Sequence, residues 1–188
     1  MIIGLTGRIA SGKGEIAEFL KEKGFEYYTI SQAVREEASK IKIPITRESL
    51  QDVGDLIRKY EGTGGWIKRI IQKINLSKNQ VIDGIRNPGE IEELKKTENF
   101  VLISVNAAQK IRFERVLNRD KPSDPKDWEG FVKIDERDFE DKSNPNGQQV
   151  GKCMDMADCK LENNGTFDEL KSKIEELYEK YLAKKTTS

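Results

Sequence analysis

The sequence contains no histidine and only two cysteines in 188 residues. Without histidine, no imidazole is available as a general base or as a zinc ligand. Cys153 and Cys159 are too few to complete a tetrahedral zinc site. They are also fewer than the cysteines of a typical secreted disulfide scaffold. Both are therefore expected to have structural roles.

The chain also has no surplus of charge and no long apolar run. Its 33 basic and 33 acidic residues give a formal net charge of zero, whereas a protein that binds nucleic acid through its bulk surface usually has a basic surplus. No stretch approaches the ~18 apolar residues that cross a bilayer, and the opening segment MIIGLTG lacks the basic leader of a signal peptide. We therefore expect a soluble, cytoplasmic protein that binds neither nucleic acid nor a membrane. A few positioned cations can still form a local phosphate site.

Short apolar runs alternate with segments of helical periodicity along the chain. This alternation is typical of βαβ units, and nearly continuous apolar runs suit a parallel sheet that is covered on both faces. The predicted fold is a three-layer α/β/α sandwich with a five-stranded parallel sheet, in one domain over residues 1–183. A small helical lid is expected over about 119–150, and a disordered tail over 184–188. Strands are predicted at Ile2–Leu5, Phe25–Ile30, Gln80–Asp83 and Phe100–Val105, and around Leu161.

Several helix starts carry capping residues. Ser31 is predicted to cap the second helix. Asp124, three residues before Asp127, is predicted to open the helix of the lid-like segment. Thr166 and Glu169 have the spacing of a capping box at the start of the last helix.

The segment GRIASGK, which ends at Lys13, fits the phosphate-loop pattern G-x-x-x-x-G-K between a predicted strand and a predicted helix. Glycine permits backbone angles that aim successive N–H groups inward at phosphate oxygens, and the helix N-terminus adds its dipole. Lys13 supplies a point charge for the β- and γ-phosphates of ATP. The predicted ATP site comprises Gly7, Arg8, Ile9, Ala10, Ser11, Gly12, Lys13, Gly14 and Glu15.

The position after Lys13 departs from the usual P-loop pattern. A serine or threonine hydroxyl normally coordinates Mg²⁺ there, but this chain has Gly14, followed by Glu15. Asp83, at the end of a predicted strand, is therefore the predicted Mg²⁺ ligand, either directly or through water. Glu15 could assist, although an acid in the first turn of a helix also complements the helix dipole.

Further arginines are candidates for binding phosphate groups. Ser31 and Arg35 lie four residues apart on one predicted helix face, and Arg86 follows Asp83 closely enough to face the same cleft. A guanidinium group suits phosphate, but a salt bridge to a neighbouring glutamate would also explain Arg35.

A later helix face carries three arginines in succession, Arg112, Arg115 and Arg119. Like charges so arranged repel one another unless a polyphosphate or nearby acids neutralise them. Arg115 and Arg119 are the predicted phosphate ligands. Arg137, later in the lid-like segment, is predicted to swing in as an arginine finger.

These segments resemble the adenylate-kinase-like nucleoside monophosphate kinases. The resemblance rests on MIIGLTGRIASGKGEIAEFL, YYTISQAVREEA, VIDGIRNPGE, IRFERVLNRD and DPKDWEGFVKIDERD. The stretch GQQVGKCMDMADCKLENNGTFDELK extends it to nearly the whole chain and is similar to an uncharacterised kinase-like P-loop family, some of whose members are joined to a deoxycytidylate-deaminase-like domain. The opening GLTGRIASGKG is also similar to dephospho-coenzyme A kinases, but YYTISQAVREE lacks the aspartate with which such a kinase would activate a hydroxyl.

The resemblance implies an ATP- and Mg²⁺-dependent kinase whose acceptor is a (deoxy)nucleoside monophosphate. It implies that Ser31, Arg35 and Arg86 meet the acceptor and that the loop at Asn163–Gly165 borders the adenine of ATP. Two alternatives stay open. One is a dephospho-coenzyme A kinase-like enzyme, and the other is a non-catalytic nucleotide sensor that signals to a partner such as a deaminase. The missing hydroxyl at Gly14 keeps the second alternative open.

Overall fold

The computed structural model describes residues 1–119, 122, 124–144 and 146–182. Within these ranges the strands are β1 (Ile2–Gly7), β2 (Glu26–Thr29), β3 (Gln80–Ile85), β4 (Phe100–Asn106) and β5 (Cys159–Glu162). The α-helices are α1 (Lys13–Glu22), α2 (Ile30–Lys40), α3 (Arg47–Glu61), α4 (Gly65–Ile71), α5 (Pro88–Leu94), α6 (Gln109–Arg119), α7 (Trp128–Phe139), α8 (Val150–Asp155) and α9 (Phe167–Leu177). A π-helical turn over Tyr178–Leu182 extends α9.

The strands form one parallel sheet in the order β2-β3-β1-β4-β5. β1 is central, and every residue along it is buried. Its apolar residues therefore do not alternate with polar ones, because both faces of the strand are covered by helices. This arrangement confirms the predicted five-stranded parallel sheet with the P-loop strand at its centre.

Two apolar clusters fill the space on either side of the sheet. One packs residues of α2, α3, α4, α5 and α8 against the sheet and includes Trp66, which is 1% exposed. The other packs α1 and α9 against the opposite face through residues such as Ile16, Leu20 and Ile174. The three-layer α/β/α prediction is therefore confirmed.

β1 and β3 run further than predicted, to Gly7 and Ile85. The register between them shifts after Leu5, and the Thr6 hydroxyl donates a hydrogen bond to the Ile85 carbonyl at 2.8 Å. The glycine-rich loop therefore begins directly at the end of a fully paired strand, which fixes its position relative to β3.

Two predicted helix caps are wrong. Ser31 does not cap α2, because β2 passes into α2 without a loop and the Thr29 hydroxyl accepts from the Ser31 N–H at 3.2 Å. Asp124 does not open α7. Asp127 is the N-cap instead and accepts from the Gly130 N–H at 2.8 Å.

The C-terminal helix begins as predicted. Thr166 and Glu169 form the expected capping box, each side chain accepting from the other residue's backbone N–H. The single-domain boundary remains a prediction, and the predicted tail over 184–188 lies outside the described residues. Within the described ranges, none of the helices combines the length and apolar character needed to traverse a bilayer.

Candidate active site

A cleft of about 910 Å³ lies at the carboxyl ends of the strands, around the glycine-rich loop. In parallel α/β sheets this edge is where ligands bind. Gly7 and Gly12 adopt φ values of 141° and 108°. A Cβ at Gly7 would lie 2.1 Å from the Val105 carbonyl oxygen, and one at Gly12 would lie 2.2 Å from the Asn163 amide nitrogen. Both glycines are therefore required by backbone angle and by close approach.

Lys13 reaches back over this loop. Its ammonium group donates to the carbonyl oxygens of Gly7 at 2.8 Å and Arg8 at 2.9 Å. Burial lowers the pKa of Lys13 to about 8, and the nearby Asp83 carboxylate opposes that decrease. The side chain is thus a poorly hydrated cation that an incoming polyanion would stabilise in its charged form.

Asp83, two residues before the end of β3, lines the same cleft as Lys13. The Tyr27 hydroxyl donates to Asp83 Oδ2 at 3.0 Å, while Asp83 Oδ1 is buried and has no hydrogen-bond partner among the described residues. A buried carboxylate oxygen in this state fits a hard cation or a water of its hydration shell. A Cβ at Gly14 would meet nothing within 4 Å, so room for coordinating water lies beside the loop.

The remaining metal ligands would have to come from water and from the donor phosphates. Among the described residues, no group of three or more cysteine, aspartate or glutamate side chains converges to hold a metal ion. Mg²⁺ commonly keeps several waters and takes only one or two carboxylates in phosphoryl-transfer sites. The donor set here therefore fits Mg²⁺ bound together with a nucleotide.

Arg35 and Arg86 both converge on Ser31. Arg35 donates to the Ser31 carbonyl oxygen at 3.3 Å, and Arg86 donates to the Ser31 hydroxyl at 3.0 Å. Neither guanidinium group has a carboxylate ion-pair partner in the described part of the chain. The pKa of Arg86 is lowered, first by burial and then by the neighbouring Arg47. Two guanidinium groups without a direct ion-pair partner therefore face this end of the cleft, which we call the acceptor end. The Asp138 and Asp83 carboxylates offset part of the charge of Arg86.

The three arginines on one face of α6 have different partners. Arg112 is 1% exposed and its guanidinium group forms an ion pair with the fully buried Asp135, so it is not free for phosphate. Arg119 lines the cleft but is paired with Asp124. Arg115 lines it too and donates to the Asn163 carbonyl at 3.1 Å, while its second terminal nitrogen is buried without a partner among the described residues.

Two predicted side chains lie away from the cleft in this conformation. Arg137 forms ion pairs with Asp52, Asp55 and Asp141, and it is not among the cleft-lining residues. Arg137 is therefore held outside the cleft in this conformation, and its role as an arginine finger stays a prediction. The Arg8 guanidinium group does not line the cleft and pairs with Asp135, the buried α7 carboxylate that Arg112 also binds. Arg8 therefore contributes its backbone to the loop and not its charge.

The other predicted loop residues do line the cleft: Ile9, Ala10, Ser11, Gly14 and Glu15. The lining also includes residues that were not predicted for the site, among them Tyr27, Arg47 and Asp138. Tyr27 lies on a predicted strand, which gives a weak signal. Arg47 and Asp138 carry none, because 91 residues separate them and only tertiary packing brings them together.

Charge balance around the cleft favours an anionic ligand. Six basic side chains line it against four carboxylates: Lys13, Arg35, Arg47, Arg86, Arg115 and Arg119 against Glu15, Asp83, Asp124 and Asp138. A concave surface with excess positive charge and low-dielectric walls concentrates anions. The excess is local, since the whole chain has no net charge.

Solved structures of kinases share this fold. A shikimate kinase from Aquifex aeolicus superposes with a TM-score of 0.57 at 16% identity, covering 95% of this chain and 96% of that one. A gluconokinase from Sinorhizobium meliloti gives a TM-score of 0.53 at 14% identity, with coverage of 95% and 96%. At such identities the likeness shows the P-loop kinase fold alone.

Relatives along the whole chain establish the family. Residues 3–142 match the family described as "AAA domain". A UPF0200 protein of Pyrococcus horikoshii is 35% identical over 190 residues, covering 97% of this chain and 98% of the relative. A UPF0200 protein of Sulfurisphaera tokodaii is 38% identical over 181 residues, with coverage of 96% and 97%. The chain therefore belongs to the UPF0200 family and carries its AAA-type P-loop domain on a kinase-like fold.

Proposed function

We propose that this protein is an ATP-dependent phosphotransferase whose acceptor carries a phosphate group, of the class of (deoxy)nucleoside monophosphates. The observation that carries the proposal is that one cleft contains the P-loop lysine and two guanidinium groups without a direct ion-pair partner, Arg35 and Arg86. Guanidinium groups bind phosphate through two parallel hydrogen bonds. A phosphomonoester dianion would supply the negative charge that this end of the cleft lacks.

The donor is held by the loop and by Lys13. Backbone N–H groups of the glycine-rich loop and the N-terminus of α1 bind the β- and γ-phosphates. Lys13 exchanges its two backbone carbonyl partners for phosphate oxygens. Arg115, held against Asn163 with one nitrogen still unpaired, neutralises charge on the transferring group.

Mg²⁺, when bound beside Asp83, would neutralise charge on the donor phosphates and orient them. The chain's own contribution is the orientation of the carboxylate. Tyr27 donates a hydrogen bond to Oδ2 and leaves Oδ1 without a partner among the described residues. The adjacent space at Gly14 accommodates water where other P-loops place a hydroxyl.

Transfer to a phosphate acceptor requires no general base, because the attacking oxygen is already ionised. The reaction would break the bond between the γ-phosphorus and its bridging oxygen and form a bond to an acceptor phosphate oxygen, giving ADP and a diphosphate. The protein's task is then positioning and charge neutralisation.

A hydroxyl acceptor is less well supported. It calls for a carboxylate that is free to take a proton. Burial alone would raise the pKa of Asp138, but Arg47 and Arg86 outweigh it, so the pKa is lowered. Arg47 and Gln51 also occupy its two oxygens. Asp138 is therefore a poor general base, and Asp83, whose Oδ1 has no partner among the described residues, is assigned to the metal.

A nucleotide sensor is the second candidate, favoured by the absence of a hydroxyl at Gly14. To separate the two functions, purified protein is incubated with ATP and Mg²⁺ and a panel of ribo- and deoxynucleoside monophosphates plus dephospho-coenzyme A, and ADP is measured. Lys13→Ala serves as the blank, and Lys21→Ala, which removes an exposed lysine of the same helix, serves as the matched control. Acceptor-dependent ADP that only Lys13→Ala abolishes supports the kinase. Nucleotide binding without turnover by any acceptor overturns it.

A further inference from the structure

Arg47 and Asp138 form a buried contact between α3 and α7 at the acceptor end of the cleft. Their side chains are 16% and 5% exposed, and both residues line the cleft. Gln51, one turn along α3 from Arg47, donates to the second oxygen of Asp138. Both oxygens of this carboxylate are thus engaged by α3.

The two charges are each unfavourable in their own helices. Arg47 is the first residue of α3, where the helix dipole repels a cation, and Asp138 is in the last turn of α7, where it repels an anion. The ion pair between Arg47 and Asp138 offsets the unfavourable interaction of each charge with its own helix dipole. The two residues therefore do not stabilise their own helices, but their ion pair places a guanidinium group in the cleft.

Asp138 leaves most of the Arg47 guanidinium group unused. One terminal nitrogen bonds to Asp138, and the buried Nε has no hydrogen-bond partner within the described residues. Burial lowers the pKa of Arg86, and the charge of Arg47 is the next largest cause of that decrease, which Asp138 opposes. On Lys13 the effect of Arg47 is smaller than the opposing effect of Asp138. Arg47 therefore acts chiefly on the acceptor end and not on the P-loop lysine.

We propose that Arg47 is a third anion-binding residue of the acceptor end and that Asp138 is the positioning residue that holds it there. The acceptor phosphate is then met by guanidinium groups from three separate elements: Arg35 from α2, Arg86 from the end of β3 and Arg47 from α3. This inference rests on the proposed function and adds a specificity-determining residue to it. The expected acceptor carries a dianionic phosphate group. The three guanidinium groups would contact this phosphate from different sides.

The test measures binding of inorganic phosphate by calorimetry while a non-hydrolysable ATP analogue saturates the donor site. Arg47→Gln should weaken phosphate binding about tenfold or more and leave analogue binding unchanged. Arg47→Lys, which keeps the charge but loses the planar fork, should give an intermediate loss. Asp52→Asn is the matched control, because it removes an α3–α7 ion pair outside the cleft, and it should stay within about twofold of wild type.

Asp138→Asn separates positioning from simple electrostatics. Removing a negative charge from the cleft would by itself tighten phosphate binding, whereas losing the anchor of Arg47 weakens it. We expect a weakening of about threefold or more, partly restored by Asp138→Glu, with melting curves establishing that each variant is folded. Tighter phosphate binding in Asp138→Asn, or unchanged binding in both Arg47 variants, overturns this inference alone. Failure of the wild type to bind the ATP analogue would instead overturn the proposed function.

Discussion

Lys13 shows how a functional charge can oppose stability. The pKa of this lysine is lowered to about 8 in the folded chain, from an ordinary value of 10.5. Below pH 8 the folded state carries a poorly solvated cation, and this destabilisation disappears as the pH rises past the unfolded value. Stability attributable to Lys13 therefore increases between about pH 8 and 10.5.

Substitution of Lys13 should affect activity and stability in opposite directions. Lys13→Met should abolish phosphotransfer and also raise the melting temperature at pH 7 by about 2–4 °C, the shift that 1 kcal/mol produces in a chain of this size. The gain should vanish above about pH 10.5. Thermal melts at pH 7 and pH 10.5 measure both effects. A lower melting temperature for Lys13→Met at pH 7 would show that the buried Lys13 cation does not destabilise the folded state.

Nucleotide binding should also change the protonation of Lys13. Phosphate oxygens stabilise the charged form, so the pKa rises on binding and the protein takes up a proton at about pH 9. Calorimetry of ATP-analogue binding in buffers of different ionisation enthalpy counts that proton. Uptake should disappear in Lys13→Met. If the wild type takes up no proton at this pH, the ammonium group does not meet the phosphates.

Tyr27 tests the orientation of Asp83. Tyr27→Phe removes a hydrogen bond to a charged group, worth about 1.5–3 kcal/mol, and should raise the Mg²⁺ concentration for half-maximal binding about tenfold. Manganese titration followed by electron paramagnetic resonance, with the ATP analogue present, gives this affinity without turnover. Tyr28→Phe, the next residue of β2, is the matched control. Equal metal affinity in both variants would show that Tyr27 does not orient Asp83 for metal binding.

At the scale of elements, the β1–loop–α1 unit was the most predictable part of the molecule. Its glycine positions obey local backbone rules, and the steric tests at Gly7 and Gly12 agree with them. The capping errors at α2 and α7 arose because several capping residues lie close together and only the final chain path selects one. The Arg47–Asp138 pair could not be predicted, since neither residue has a local pattern that points to the other.

A hydroxyl introduced at Gly14 should strengthen Mg²⁺ binding beside the glycine-rich loop. A Cβ there meets nothing within 4 Å, so Gly14→Thr should fold normally and lower the Mg²⁺ requirement about threefold or more by restoring a hydroxyl. Gly12→Ala, where φ is 108° and Asn163 blocks the space, should instead abolish nucleotide binding. Metal and nucleotide titrations of both variants decide the point. An unchanged metal requirement in Gly14→Thr would show that the metal does not lie beside this residue.

At the scale of the whole molecule, the helical layer over β2 and β3 depends on a buried ionic network. Arg58 is 1% exposed and pairs with Asp55 of its own helix and with the fully buried Glu90 of α5. Arg58→Leu leaves Glu90 buried without its cation and should destabilise the fold by about 3–5 kcal/mol. Breaking the exposed Lys21–Glu18 pair should cost about 0–1 kcal/mol. Denaturant melts measure both, and equal effects would refute the structural role of the network.

The parts of this fold serve one cleft. The sheet order brings β1 and β3 side by side, so the P-loop lysine and Asp83 meet, and the helices between β2 and β3 carry arginines toward them. Sequence alone indicated the donor end, the likeness to kinases and, at the acceptor end, Ser31, Arg35 and Arg86. The contribution of Arg47 and Asp138 needed tertiary structure, because it joins α3 to α7.

The central claim is that phosphate passes from ATP to a phosphate-bearing acceptor in this cleft. The most direct measurement follows label from [γ-³²P]ATP in the presence of pooled nucleoside monophosphates, with products separated by chromatography. The account predicts label in a nucleoside diphosphate, lost in Lys13→Ala and strongly reduced in Arg86→Gln. If label stays in ATP or appears only as inorganic phosphate, although the nucleotide binds, the protein is not the phosphotransferase described.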